Sequence, residues 1–256
     1  MNYQERVLEL ANKLENYSPE EITDTPLEEL LSFLPFLEEI VQDTNPTPNM
    51  DGGLENAFQV IQGFYQGLII RMEKDQARKI LAATKPWPWL RNYYFYKDYQ
   101  DWVTREQSLV EFAPYDRVAY IGGGALPLSL ILYQHLFGIR GVSIERDPEL
   151  AELSWKVLQK LDLASHIQVI HGDETFLAEI EFEGFIVDAQ AQPRRQVFNH
   201  LHAATLPEAK IVFRSYYGPP ILCPPVQAED LAGFERLDQC PPTGRVKNIS
   251  VAIRKL

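Results

Sequence analysis

The sequence predicts an α/β protein in which a mostly parallel, doubly wound β-sheet follows a helical N-terminal domain. From Tyr3 to about Val41, apolar residues recur at spacings of three and four, which is the pattern of amphipathic helices. After residue 113, short apolar segments alternate with helical segments, which is typical of parallel strands joined by helical crossovers. We therefore place a helical domain at residues 1–112 and a sheet domain at residues 113–256.

The N-terminal half carries signals that begin and end helices. Ser18 and Thr25 each precede a proline that acidic residues follow, which predicts an N-cap at both positions. The segment NPTPNMDGG (residues 45–53) is a loop by composition. A further helix is predicted at about residues 54–83, and KPWPW (residues 85–89) interrupts it before an aromatic segment.

The second half supplies the strands of the predicted sheet. They are Arg117–Ile121, Gly141–Ile144, Ile167–Ile170, Phe185–Val187, Lys210–Arg214 and Asn248–Arg254. Helices are predicted after the first strand to about residue 136, at residues 148–161 and at residues 194–205. In an open parallel sheet, ligands bind at the carboxyl ends of the strands, so the residues that follow each strand are candidate binding residues.

Composition and charge limit the classes of ligand and partner that we expect for the protein. The chain has 36 acidic and 24 basic residues and a net charge of −12, which argues against a nucleic-acid partner. A small cationic or zwitterionic ligand is compatible with this charge, although acidity that only keeps the protein soluble explains it equally well. The apolar runs are too short to span a membrane and the first residues lack a signal-peptide core, so we expect a cytoplasmic protein. Cys223 and Cys240 have neither disulfide nor metal-ligand spacing, so no metal is predicted.

The residues that follow the first strand and its neighbours suggest an adenosyl-ligand site. Gly122, Gly123 and Gly124 follow the first strand, and glycines let a ligand approach the backbone. Glu145 follows the second strand, where an acid accepts hydrogen bonds from ribose hydroxyls. The further candidates for cofactor binding at strand ends are Arg146, Asp173, Glu174 and Asp188.

Two ligands fit such a loop, and its last residues distinguish them. Pro127 occupies the position of the third glycine of a dinucleotide-binding turn. A pyrophosphate needs free N–H groups at a helix N-terminus, and proline has none, so the loop favours S-adenosylmethionine over a dinucleotide. A tight glycine turn that serves only strand-to-helix packing is the structural alternative.

Three segments carry a resemblance to a known family. VAYIGGGALPLSLILY, FYKDYQDWVTREQSLVEF and FRSYYGPPILCPP resemble, in this order, motifs of nicotianamine synthases and of the bacterial opine-metallophore aminobutyrate transferases. The resemblance implies a Rossmann-like, class I methyltransferase-like domain. It also implies transfer of the 3-amino-3-carboxypropyl group of S-adenosylmethionine to a small amine or amino acid, with release of 5′-methylthioadenosine.

The resemblance also assigns residues around the cofactor. We interpret the segment ALPL (residues 125–128) as one that fills the loop and redirects the aminocarboxypropyl arm, so Leu126 and Pro127 join the cofactor-binding candidates. They are equally well explained as residues of the first helical turn that pack into the core. Aromatic faces in the segment before the first strand could hold the sulfonium or only pack the domain interface, and Tyr96 is the cofactor-binding candidate among them.

The sequence departs from the family where the acceptor binds. Gln66 stands where the family has a glutamate, and Asp98 and Tyr99 fall near the family's paired tyrosines. These three residues are the catalytic candidates, and the reacting amine is expected near them. Because glutamine cannot accept a proton, Asp98 or Glu73 takes that role, the acceptor differs, or the reaction is intramolecular on S-adenosylmethionine.

The late segment, residues 214–224, supplies the substrate-binding candidates. Arg214 could pair with a substrate carboxylate or with one of the protein's own acids, and Tyr217 follows it at the ligand edge of the sheet. Pro219 and Pro220 follow Gly218, where the family has an arginine. A methyltransferase and a non-catalytic module that binds an adenosyl ligand are the alternative functions. A homodimer is a further expectation.

Overall fold

The computed structural model describes residues 2–42, 52–216, 221–242 and 248–256. The chain forms two compact units. The helical unit comprises Met1–Met72 and Tyr216–Pro225, and the sheet unit comprises Glu73–Ser215 and Val226–Leu256. The predicted domain boundary between residues 112 and 113 stays a prediction.

The helical unit is built from short helices and the first part of a long one. They are α1 (Tyr3–Leu14), α2 (Pro19–Asp24), α3 (Leu27–Leu31), α4 (Leu34–Gln42) and α5 (Gly52–Ala82), whose last residues belong to the sheet unit. Phe64 of α5 lies edge-on to Tyr17 and Phe33, with ring centroids 5.5 Å and 5.4 Å away. These three rings contribute to an apolar core that holds α5 against the shorter helices.

The two predicted N-caps differ in outcome. Ser18 caps α2 as predicted, since its Oγ accepts a hydrogen bond from the backbone N–H of Glu21. The prediction for Thr25 is wrong. The hydroxyl of Thr25 donates to the carbonyl of Glu21 at 2.6 Å and so closes α2, while Pro26 precedes α3 without a side-chain cap.

The sheet unit contains one seven-stranded sheet. Its strands are β1 (Arg117–Ile121), β2 (Arg140–Glu145), β3 (Ile167–His171), β4 (Gly184–Val187), β5 (Lys210–Tyr216, whose last residue belongs to the helical unit), β6 (Phe234–Cys240) and β7 (Asn248–Lys255). The strand order is β3-β2-β1-β4-β5-β7-β6. β1 to β5 pair in parallel and β6 pairs antiparallel with β7. The predicted α/β fold with a mostly parallel, doubly wound sheet is confirmed.

The order of the strands fixes where a ligand can bind. The chain runs outward from β1 to β2 and β3, and then returns to β4 on the other side of β1. Because crossovers are right-handed, this reversal places the connecting helices on opposite faces of the sheet. The carboxyl ends of β1 and β4 mark the topological switch point, which is where ligands bind in such sheets.

The remaining helices are α6 (Pro86–Arg91), α7 (Tyr96–Val110), α8 (Leu128–Phe137), α9 (Pro148–Lys160) and α10 (Arg194–Ala204). α8 begins directly after Pro127 and ends at Gly138, which has a φ of +73°. α9 begins at Asp147, whose carboxylate accepts hydrogen bonds from the N–H groups of Glu149 and Leu150. Both helices thus begin within a few residues of the carboxyl end of the preceding strand.

Candidate active site

The segment after β1 is a tight loop that requires glycine. Gly122 and Gly124 have φ values of +88° and +65°, in a region that residues with side chains rarely adopt. Gly123 is required for a different reason, because a Cβ atom there would lie 1.8 Å from the Oγ of Ser143 on β2. Conformation at two positions and space at the third therefore account for the three predicted glycines.

Glu145 connects the end of β2 to this loop. Its Oε2 accepts a hydrogen bond from the N–H of Gly124 at 2.9 Å, and its Oε1 accepts one from the N–H of Asp147 at 2.9 Å. The side chain is buried, with 7% of its surface exposed. A carboxylate has about four lone-pair directions, so two remain for other donors. The predicted role of Glu145 in binding ribose hydroxyls stays a prediction, and this geometry leaves it available.

Glu73, near the end of α5, also contacts the loop. Its Oε2 accepts a hydrogen bond from the N–H of Ala125 at 3.1 Å, and a Cβ atom at Gly124 would lie 2.3 Å from it. Burial and the nearby carboxylates of Asp188 and Glu145 raise the pKa of Glu73 to about 8, although hydrogen bonds from backbone N–H groups oppose the shift. At neutral pH this carboxyl group is therefore mostly protonated.

Asp188 follows β4 on the other side of the glycine loop. Its Oδ2 accepts a hydrogen bond from the hydroxyl of Tyr120 at 2.8 Å, and its Oδ1 accepts one from the N–H of Gln190 at 3.0 Å. A Cβ atom at Gly122 would lie 3.3 Å from the Cβ of Asp188. Burial and the negative charge of Asp188 raise the pKa of Tyr120 well above its ordinary value, so Tyr120 is a permanent donor.

Arg214 lies behind Asp188 in the interior of the sheet unit. It is fully buried, and Nη2 and Nε donate to the two carboxylate oxygens of Glu106 at 2.7 Å and 3.0 Å. Nη1 donates to the Oγ of Ser129 at 2.8 Å and lies 3.6 Å from the Oδ2 of Asp188. This arrangement favours the second sequence-based interpretation, a structural ion pair. The role of Arg214 in binding a substrate carboxylate stays a prediction.

Leu126 and Pro127 are buried in the sheet unit. Leu126 is 2% exposed, and Pro127 ends the loop as the residue before α8. This burial fits the structural alternative, in which the segment packs the first turn of the helix. It is equally compatible with the predicted filling of the loop, so the contact of these two residues with a cofactor stays a prediction.

Two of the predicted cofactor residues, Asp173 and Glu174, follow β3, and a third, Arg146, follows β2. Asp173 is exposed and caps a 3-10 helix at Glu174–Ala178, where its Oδ1 accepts hydrogen bonds from the N–H and hydroxyl of Thr175. These hydrogen bonds lower the pKa of Asp173. Glu174 is buried with 2% exposure, and Arg146 after β2 is exposed. The roles of Asp173, Glu174 and Arg146 in binding the cofactor stay predictions.

The aromatic candidates lie on α7. Tyr96 is buried in its first turn, while Asp98 and Tyr99 are half-buried. The ring of Tyr99 lies edge-on to Trp102 at 5.3 Å, and Trp102 in turn stacks on the guanidinium of Arg214 at 4.1 Å. Packing therefore connects the aromatic segment to the interior of the sheet unit at the carboxyl ends of its strands.

Two candidates remain, Gln66 and Tyr217. Gln66 lies on α5 in the helical unit, where its side chain is exposed. Tyr217 lies outside the described residues. The predicted meeting of Gln66 with Asp98 and Tyr99 around a reacting amine stays a prediction.

Sequence reasoning missed the residues behind the site. Glu106 is fully buried and also accepts a hydrogen bond from the hydroxyl of Tyr133 at 2.9 Å. It lies on α7 among polar residues, so nothing in the local pattern marks it as interior. Tyr120 carries the one polar side-chain group in the buried part of β1, residues 118–121, and that hydroxyl was a usable signal.

Within residues 2–42, 52–216, 221–242 and 248–256, no three His, Cys, Asp or Glu side chains are grouped so that they could hold a metal ion. In the same ranges, no helix has both the length and the apolar character that crossing a membrane requires.

A family model described as nicotianamine synthase protein matches residues 5–256. The chain belongs to this family. The predicted resemblance is therefore confirmed over nearly the whole described chain.

Solved structures and curated sequences agree with this assignment. A structure of MtNAS in complex with MTA and tNA is 32% identical, covers 100% of this chain and 99% of that chain, and has a TM-score of 0.92. A variant of MtNAS in complex with S-adenosylmethionine is also 32% identical, with a TM-score of 0.90 and coverages of 100% and 98%. A probable nicotianamine synthase 4 of Arabidopsis thaliana is 31% identical over 169 residues, which are 59% of this chain and 49% of the relative. The chain thus spans about half the length of the curated relatives it matches.

Proposed function

We propose that this protein transfers the 3-amino-3-carboxypropyl group of S-adenosylmethionine to a small amine or amino acid and releases 5′-methylthioadenosine. The observation that carries the proposal is the similarity to MtNAS, which extends over 100% of this chain and includes complexes with S-adenosylmethionine and with MTA and tNA. MTA is the usual abbreviation of 5′-methylthioadenosine, the nucleoside that such a transfer leaves behind.

The reaction is a displacement at carbon. The lone pair of a neutral amine attacks the carbon of the aminocarboxypropyl arm that is bound to sulfur, and a C–N bond forms. The C–S bond breaks, and its electron pair neutralises the sulfonium to a thioether. The ammonium formed on the acceptor then loses a proton. The protein must therefore orient two reactants, accommodate a cation and accept a proton.

The carboxyl ends of β1, β2 and β4 supply groups for these tasks. The glycine loop admits the cofactor, and Glu145 is assigned to the ribose hydroxyls because it lies beside Gly124 with lone pairs to spare. Asp188, held by Tyr120, places a negative charge at the same loop. A sulfonium is stabilised by such a charge, and a thioether is not.

Two carboxyl groups are candidates to accept the proton of the amine. Glu73 contacts the loop directly, and its pKa of about 8 suits a group that takes a proton from an ammonium near neutral pH. Asp98 is half-buried on α7 and was the preferred candidate from the sequence. The contacts of Glu73 with Ala125 support assigning it the role, with Asp98 as the alternative.

Identification of the nucleoside product tests the proposal. Purified protein is incubated with S-adenosylmethionine and a panel of small amines and amino acids, and the nucleosides are separated by chromatography. We expect 5′-methylthioadenosine. S-adenosylhomocysteine would indicate a methyltransferase instead. Measurable binding of S-adenosylmethionine with neither product, across the panel, would indicate a non-catalytic binding module.

The intramolecular alternative has its own signature. If S-adenosylmethionine reacts with itself, 5′-methylthioadenosine accumulates without any added amine, and no amine carbon enters a new product. Mass spectrometry of the non-nucleoside product separates the two cases. This matters here because the exposed Gln66 has no carboxylate to hold or deprotonate an external amine.

A further inference from the structure

Three acidic side chains converge on the glycine loop. Asp188 lies beside Gly122, Glu145 binds the N–H of Gly124, and Glu73 binds the N–H of Ala125. The acids reach the loop from three different elements, the ends of β4 and β2 and the last turns of α5. Like charges that crowd one site favour protonation of one of its members.

The charges around Glu73 indicate that it is the acid of this group that is protonated. The loop supplies the N–H groups of Ala125 and Leu126, which stabilise its ionised form. The end of β2 supplies Glu145 and the end of β4 supplies Asp188, and both oppose ionisation. Burial opposes it further, so the pKa of Glu73 rises to about 8.

Arg214 is a cation in contact with one of these three acids, but it is not among the groups that shift the pKa of Glu73. Arg214 approaches Asp188 at 3.6 Å, but its guanidinium is bound in bidentate fashion by Glu106. Tyr120 donates to Asp188 through a neutral hydroxyl. Arg214 is thus already engaged, and no cation of the described residues is among the groups that shift the pKa of Glu73.

S-adenosylmethionine brings a positive charge. Its sulfonium is a full cation, whereas the thioethers 5′-methylthioadenosine and S-adenosylhomocysteine are neutral at sulfur. An opposite charge within about 4–6 Å lowers the pKa of a carboxyl group by about 1–3 units.

We propose that binding of the sulfonium cofactor expels the proton of Glu73 to solvent, which leaves this carboxylate ready to accept the proton of the attacking amine. The inference rests on the proposed function, because it needs S-adenosylmethionine at the glycine loop.

The protons balance over one turnover. Binding releases one proton from Glu73 to the buffer. The C–N bond forms, the C–S bond breaks with its electron pair on sulfur, and the proton of the acceptor ammonium passes to Glu73. The positive charge of the sulfur has then disappeared, so Glu73 is again protonated in the presence of a neutral product. The cation thus generates the base only while the reactive cofactor is bound.

Calorimetric titration of the full chain at pH 7 in buffers of different ionisation enthalpy measures the protons released. For S-adenosylmethionine we expect release of most of one proton, because the sulfonium lowers the pKa of Glu73 from about 8. For S-adenosylhomocysteine, which has the same amino-acid arm without the positive sulfur, we expect close to none beyond what the arm contributes. Equal release with the two ligands would overturn the proposal.

Two variants test whether the released proton comes from Glu73. Glu73→Gln should remove the difference between the two ligands and still bind both, which also shows that it folds. The matched control is Glu149→Gln, whose carboxylate is 62% exposed and bound to Lys74, and it should release protons as the parent does. A difference that persists in Glu73→Gln would assign the proton to another group.

A second measurement is the pH dependence of affinity. Because binding releases a proton, the affinity for S-adenosylmethionine relative to S-adenosylhomocysteine should rise by up to about tenfold per pH unit between pH 6 and 8, and level off outside that range. A flat ratio would contradict the proposal.

If 5′-methylthioadenosine forms while the ratio is flat, the proton inference fails and the proposed function stands. If proton release occurs without either nucleoside product, the proposed function fails instead. Failure to bind S-adenosylmethionine at all would overturn both.

Discussion

Arg214 and Glu106 form a bidentate ion pair in which both side chains are fully buried, with N–O distances of 2.7 Å and 3.0 Å. Glu106 also accepts hydrogen bonds from Tyr133 at 2.9 Å and from the hydroxyl of Ser250. Trp102 donates to the same hydroxyl of Ser250 at 2.9 Å. One carboxylate thereby joins α7, α8, β5 and β7, directly behind the residues that face the proposed cofactor.

Removal of Glu106 should strongly destabilise the protein. Glu106→Leu leaves the buried charge of Arg214 without its bidentate partner, which costs about 3–5 kcal/mol of unfolding free energy. Urea unfolding followed by circular dichroism measures the loss. The control is Glu235→Leu, since Glu235 and Arg254 form an exposed ion pair at 2.6 Å that contributes about 1 kcal/mol or less. Glu106→Leu with Arg214→Met should recover much of the stability. Similar losses for Glu106→Leu and the control would contradict the importance of the buried pair.

Glu145→Ala should weaken binding of 5′-methylthioadenosine. Two hydrogen bonds from ribose hydroxyls to a carboxylate suggest a loss of roughly 2–4 kcal/mol in binding free energy. Calorimetric titration measures it, and Glu152→Ala, an exposed residue of α9 paired with Lys156, is the control. Because Glu145 also binds the N–H of Gly124, the melting temperature of the variant is recorded alongside. Unchanged affinity in a folded variant would remove Glu145 from the site.

Turnover of Glu73→Gln and Asp98→Asn should identify the proton acceptor. The variant that lacks the acceptor should lose roughly 10²–10⁴ in turnover, and the other should stay within about a factor of two to ten. In the parent, kcat/KM for S-adenosylmethionine at saturating amine should rise with pH to a plateau above about 8, because the free enzyme must lose the proton of Glu73. Loss of activity in Asp98→Asn alone would restore Asp98 as the acceptor.

Glu73→Gln should make the protein more stable at alkaline pH. The folded state holds the pKa of Glu73 at about 8, well above the ordinary value of 4.5 for an unfolded chain. The unfolded state therefore loses this proton first, and the parent loses stability as pH rises from about 4.5 to 8. Glutamine does not ionise, so at pH 8 we expect the variant to have a free energy of unfolding about 1–3 kcal/mol higher than the parent. This difference should disappear near pH 5. Unfolding curves at the two pH values measure it, and a gain of equal size at both would refute the protonation argument.

Gly123→Ala should disrupt the loop through a single contact. The added Cβ would lie 1.8 Å from the Oγ of Ser143 and 3.1 Å from its Cβ. Overpacking of this kind costs about 1–3 kcal/mol, and binding of S-adenosylmethionine should weaken with it. Ser143→Gly in the same chain removes both atoms and should restore the melting temperature. Absence of rescue would mean that the loop requires glycine at position 123 for another reason.

The sequence predicted the elements that local residue patterns determine. The six predicted strands match strands of the sheet, because buried parallel strands are short apolar runs that helices separate. β6 was missed since FERLDQC has an exposed middle and neither alternates nor forms an apolar run. Glu145 and Asp188 were predicted at strand ends, and both lie there beside the glycine loop. Glu106 was not, because its partner Arg214 lies 108 residues away along the chain.

The placement of β7 between β5 and β6 orders events during synthesis of the chain. β6 leaves the ribosome before β7, and β7 is the strand that pairs with β6 in the described sheet. β6 therefore has no hydrogen-bonding partner until β7 has been synthesised. At roughly 5–20 residues per second this interval is on the order of one second. Ser250 arrives with β7, so Glu106 and Arg214 complete their polar surroundings only at that stage. A nascent chain that stalls before residue 248 therefore lacks both the strand that pairs with β6 and the hydroxyl of Ser250 that binds Glu106.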